Sequence, residues 1–215
     1  MTDLGRRAWP VLGSGTTEAA LTIDPTPRWR EAWPEPAGAI WLPQPVLSPT
    51  PLPRPAAGSP AHQMPEPMGL AELATVLHLT SGEACGPAGH ALYLMANHVP
   101  GLCGGVFRYR PTWHALVPLS PPVPEYRLAS CVAAPGPLAR AGALVVVTSL
   151  SGPAAARTGV RPAEPHALGQ HVPWIATRLG LTAWVLPGFS DEVDGLLGLS
   201  TPGEHVTALI ALVRS

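Results

Sequence analysis

Eight histidines, three cysteines and thirteen arginines hold most of the side-chain chemistry open to this 215-residue chain, which has no lysine. Neither a lysine Schiff base nor a lysine phosphate clamp is therefore available. The histidines (His62, His78, His90, His98, His114, His166, His171 and His205) are scattered, with no His-x-x-x-His and no Cys-x-x-Cys spacing. His166 and His171, five apart, fall on different faces of a helix, so no metal site is expected. Gly-x-Ser-x-Gly is absent, since Gly13-Ser14-Gly15 lacks the spacing, and neither a Walker sequence nor Gly-x-Gly-x-x-Gly occurs. Cys85 with His90 five residues on offers a nucleophile and a base, or only a Gly/Pro turn before a strand.

The elements that would position chemistry are clearest near the C-terminus. Leu168, Val172, Ile175, Ala176 and Leu179 recur at three- and four-residue intervals, the signature of a helix with one apolar face. Pro165 suits its first turn and Gly180 its end, while Pro173 predicts a kink or a late helix start. Leu181 to Leu186 reads as a short strand closed by Pro187-Gly188. Ser190-Asp191 then opens a second helix, with Val193, Leu196 and Leu197 inward and Gly198 as its stop. Upstream, Leu70 to Leu79 has the spacing of a short amphipathic helix and Ala91 to Ala96 that of a strand. Gly104 to Arg110 and His114 to Leu119 form a hairpin around Pro111-Thr112. Val123 to Ala134 is expected to be helical. Ala143 to Thr148 and Thr207 to Val213 are apolar throughout, as central strands covered on both faces must be.

Length suits one main domain, with residues 1–67 as a proline-rich N-terminal arm and 68–215 as the folded part. Residues 1–68 hold fourteen of the 29 prolines, so this stretch should be extended or polyproline-like. Such a stretch could be a free, disordered linker, but Trp9, Trp29, Trp33, Ile40 and Trp41 are costly to leave in water, which favours an arm laid on the domain surface or on a partner subunit. The 13 basic and 14 acidic residues nearly cancel, so neither nucleic acid nor a membrane surface is implied as a partner. Cys85, Cys103 and Cys131 make no disulfide framework, and no apolar run reaches signal-peptide or transmembrane form, so a cytoplasmic protein is expected.

The run of helix, Gly180-Leu181, strand, Leu186-Pro187-Gly188-Phe189, helix and Leu196-Leu197-Gly198-Leu199 resembles the C-terminal half of the nitroreductase superfamily. It is most similar to the SagB-type dehydrogenases, flavin enzymes that oxidise azoline rings in modified peptides. The hairpin with Phe107, Tyr109, Pro111 and His114-Ala115-Leu116 is a second point of resemblance, and the likeness covers roughly residues 70 to 213. It implies an α+β fold with a central, mostly antiparallel sheet flanked by helices. It also implies FMN as cofactor, a small-molecule or peptide substrate, and a homodimer or a heterodimer with a related subunit. The 166–179 helix would be the core helix of that dimer, and the Pro187-Gly188 loop would lie against the flavin ring.

Where the family's Arg-Arg-Ser-x-Arg run grips the flavin phosphate, this chain keeps Arg54 and Ser59. Gly86 and Gly89 stand where the family brings backbone up to the flavin. At the loop position whose N–H meets the ring edge stands Pro187, which has none, leaving Gly188 to donate. The resemblance therefore implies either an FMN-dependent oxidoreductase or a catalytically silent relative with a degenerate flavin site, acting as a partner or scaffold subunit. Which residues would be catalytic is left open.

Overall fold

The computed structural model describes residues 37–45, 67–84, 90–150, 165–199 and 201–214. Among the described residues seven strands form one antiparallel sheet: β1 (Ile40–Trp41), β2 (His90–Ala96), β3 (Gly105–Arg110), β4 (Ala115–Ser120), β5 (Ala143–Leu150), β6 (Leu181–Val185) and β7 (Glu204–Arg214). Their order across the sheet is β1-β4-β3-β2-β5-β7-β6, and every neighbouring pair is antiparallel. Among the described residues four α-helices accompany them: α1 (Leu70–Ala84), α2 (Glu125–Ala129), α3 (Pro165–Arg178) and α4 (Glu192–Leu197). The α+β architecture expected from the sequence is the one observed.

The two apolar runs lie side by side at the centre. Val145 pairs with Ile210 and Leu144 with Ala211, and both strands are buried along almost their whole length. A bulge at Val147/Thr148 leaves Thr207 as the extra residue of β7, and its hydroxyl donates to the Val147 carbonyl at 3.1 Å. Because side chains alternate across a strand, each central strand feeds two cores. On one face Leu92, Leu94, Phe107, Val145, Val147, Ile210 and Leu212 pack with Leu73, Leu77, Val172 and Ile175 of α1 and α3. On the other Tyr93, Met95, Val106, Leu144, Val146 and Leu209 pack with Leu128 of α2 and Val193 and Leu197 of α4.

Local chemistry accounts for the element ends. Glu72 receives the Gly69 N–H at 2.9 Å, half of a capping box that closes the first turn of α1, and also takes Arg214 Nη1 at 2.8 Å from the end of β7. Gly198 at φ 70° is the left-handed C-cap of α4. Gly169 lets α3 approach β7, since a Cβ there would stand 3.3 Å from that of Ala208.

Three sequence expectations are corrected. α3 starts at Pro165 and runs past Pro173, so no late start occurs; Thr177 Oγ1 donates to the Pro173 carbonyl at 2.8 Å. α1 continues to Ala84, past the expected end at Leu79. The helix expected over 123–134 shrinks to Glu125–Ala129. There the backbone leaves the helical ladder to meet another loop: Val132 bridges Phe189, and the Ala133 N–H donates to the Gly188 carbonyl at 2.8 Å. Helix spacing could not foresee that competition.

Candidate functional site

The loop from Leu186 to Ser190 joins β6 to α4 and holds the two sequence-selected residues that the structure describes, Pro187 and Gly188. Leu186 is buried and prolongs the β6–β7 pairing by donating to the Leu209 carbonyl at 2.8 Å. The chain then turns at Gly188, whose φ of 61° only glycine adopts without strain. Its carbonyl takes the Ala133 N–H, and the Ser190 N–H donates to the Cys131 carbonyl at 2.9 Å. A Cβ on Gly188 would touch Ala133 at 3.4 Å. The loop is thus stitched to residues 131–133, and the Gly188 N–H has no hydrogen-bond partner among the described residues. Arg54, Ser59, Gly86 and Gly89, with Cys85, Trp9, Trp29 and Trp33, lie outside the described residues.

A polar cluster that sequence reading missed sits within the sheet on the α2/α4 face. Tyr93 Oη donates to Glu204 Oε1 at 2.7 Å, and Thr148 Oγ1 donates to the same oxygen at 2.6 Å. Glu204 is only 5% exposed, and its second oxygen has no hydrogen-bond partner. The Arg108 guanidinium lies over the Tyr93 ring, 5.6 Å from its centroid. Burial first, then the hydrogen bond to Glu204, pushes the Tyr93 phenol well above its ordinary range. The Arg110 guanidinium is lowered by burial and next by Arg108, with Tyr93 and Glu204 opposing, and its Nε is also buried without a partner. The signals were weak ones: a Tyr inside an apolar strand, and two arginines two apart in β3, hence on one face.

On the opposite face His114 fastens β1 to the hairpin. Its φ of 47° closes the Pro111–Trp113 turn in the left-handed region. Nε2 is 2.9 Å from the Pro43 carbonyl and Nδ1 is 2.7 Å from Tyr109 Oη. A carbonyl can only accept, so Nε2 carries the proton and Nδ1 accepts from the phenol. Burial lowers the His114 pKa, the Pro43 hydrogen bond opposes this, and His78 lowers it further. Ile40 and Trp41 pair with Leu116 and Ala115, which puts this part of the expected arm at the sheet edge.

Ile175 is consumed by the core at 4% exposure, whereas Trp174 stands 62% exposed with Arg178 stacked over it at 5.1 Å. A cleft of about 580 Å³ opens beside α2 and α4, with Cys131, Arg127 and Glu192 among its walls. Among the described residues no group of three His, Cys, Asp or Glu could hold a metal ion, and no helix is long and apolar enough to cross a membrane.

No family model matches the chain, and no curated protein matches it in sequence. Solved structures do match. A protein assigned as a nitroreductase from Anabaena variabilis superposes with a TM-score of 0.54 at 20% identity, over 69% of this chain and 34% of that one. This chain thus spans about a third of the Anabaena protein's length. One from Ralstonia eutropha, likewise assigned as a nitroreductase, gives 0.52 at 15% identity over 82% and 89%. A chain of the E. coli microcin synthetase McbBCD complex, with truncated pro-MccB17 bound, gives 0.49 at 12% identity over 93% and 84%, too distant to add to the other two. The antiparallel sheet, its flanking helices and the first two superpositions show a nitroreductase-like fold.

Proposed function

We propose that this chain is an FMN-dependent oxidoreductase of the nitroreductase fold, similar to SagB-type dehydrogenases, acting on a modified-peptide or small natural-product intermediate. The observation that carries the reading is the unpartnered Gly188 N–H, held at a left-handed turn on a loop fixed by three backbone hydrogen bonds. A donor fixed in this way costs no reorganisation when a ligand arrives, which suits the polar edge of a flavin ring. When bound, the flavin supplies the hydride chemistry, and the chain's part is to hold and orient it.

The fit is partial. Pro187 has no N–H to offer beside Gly188. Gly86 and Gly89 would let backbone approach the ring, and the phosphate would fall to Arg54 and Ser59. With few charge-assisted contacts, each worth about 1.5–3 kcal/mol, the grip should be weak. Trp174 offers exposed apolar surface for a second subunit of the same or a related chain. A second reading is favoured by Pro187 alone: a catalytically silent subunit that keeps the fold to complete a partner. Reconstitution with FMN followed by anaerobic reduction decides between them. With excess FMN kept in solution, an oxidoreductase should quench flavin fluorescence saturably and cycle the bound flavin between oxidised and reduced spectra; a silent subunit would leave the added FMN unquenched.

A further inference from the structure

The cleft beside α2 and α4 is independent of the flavin reading. Its volume of about 580 Å³ lies within the range of small-molecule sites. Pro121, Pro122, Val123, Pro124 and Leu196 give it apolar walls, and Arg127 and Glu192 stand on it with opposite charge. Among the described residues neither makes an ion pair. Glu192 Oε2 receives only the Cys131 thiol, at 3.6 Å. The Ser120 hydroxyl, also in the wall, is buried without a partner.

Gly195 adds a separate observation. It sits inside α4, where glycine weakens a helix. It is not among the positive-φ residues, and a Cβ built on it meets nothing within 4 Å. The fold therefore does not require glycine at this position. A side chain there would instead enter the cleft that Gly195 lines.

From this geometry we infer that the cleft binds a small zwitterion with an apolar body, of the size of a dipeptide, its carboxylate at Arg127 and its ammonium at Glu192. Two unpaired charges of opposite sign on one apolar cleft match that chemistry, whereas a simple anion would meet Glu192 and a simple cation Arg127. The prolines and Leu196 take the apolar side chains.

The test is calorimetric titration of the full chain with leucyl-leucine, alongside N-acetyl-leucyl-leucinamide as an uncharged control of the same shape. Saturable binding of the zwitterion, at least fivefold tighter than the control, is expected. Arg127→Gln and Glu192→Gln should each weaken it threefold or more, and Gly195→Leu should abolish it while the circular dichroism spectrum and melting temperature are kept. Should Gly195→Leu not fold, the two charge variants decide alone. No saturation by wild type, equal binding of the capped control, or indifference to both charge changes would overturn the inference.

Discussion

Between α1/α3 and the sheet the contacts are mostly aliphatic; of the three hydroxyls buried in α1, those of Thr75 and Ser81 bond to carbonyls of their own helix and only that of Thr80 is without a partner. The α2/α4 face differs. Amid Met95, Val106, Val146 and Leu209 it buries Tyr93, Thr148 and Glu204 beside two arginines, and leaves Glu204 Oε2 and Arg110 Nε without partners. Apolar burial is non-directional and tolerates approximate geometry. A buried carboxylate demands partners, and each missing one costs free energy. The first face is where the fold finds its stability. The second carries polar groups that stability alone would not retain, together with the fixed loop at Gly188 and the cleft at Arg127.

If that contrast is right, truncation in the aliphatic face should be the most damaging. Leu212→Ala removes a fully buried side chain, and urea unfolding should show a loss of about 2–5 kcal/mol. On the polar face Tyr93→Phe strips one donor from the Glu204 carboxylate and should cost about 1.5–3 kcal/mol. The informative variant is the pair Tyr93→Phe with Glu204→Leu. Removing both partners should cost clearly less than the sum of the single changes, and strict additivity in urea midpoints would show that the cluster does not act as a unit.

How legible this contrast was in the sequence depends on the residue. Ala143 to Thr148 and Thr207 to Val213 announced themselves as central strands because burial on both faces leaves no polar position. The hairpin was equally clear from alternation around Pro111. Glu204 was invisible because a carboxylate at the entry to a strand reads as a solvated end, and only the sheet brings it to Tyr93, 111 residues away in sequence. The cleft was hidden for a related reason. Arg127 and Glu192 belong to two helices far apart in sequence, and only the fold brings them to one cleft.

Smaller effects sharpen the picture at the edges. The pair formed by Glu72 and Arg214 is partly exposed, at 25% and 37%. Its loss in Arg214→Gln should cost only about 0.2–1 kcal/mol, and less at high salt. At His114 the effect is a slope with pH. Its folded pKa lies below the unfolded value of about 6.5, so on acidification the unfolded chain takes the proton first. The stability contributed by neutral His114 is present above that value and is lost as pH falls toward the folded pKa. His114→Asn, which tolerates the left-handed backbone, should flatten thermal melts compared between pH 7.5 and 5.5. An unchanged slope would mean that the Pro43 hydrogen bond outweighs burial.

The proposal that the Gly188 loop serves a flavin is tested most directly by titrating the purified chain with FMN, following quenching of flavin fluorescence, for wild type and Arg54→Ala. Saturable binding with a Kd weaker than about 1 μM is expected, since fewer than the full set of contacts remain to supply the roughly 8 kcal/mol of a micromolar site. The Arg54→Ala change should weaken it a further tenfold. Absence of saturation would contradict flavin binding altogether, and submicromolar affinity indifferent to Arg54 would contradict the phosphate site assigned to that arginine.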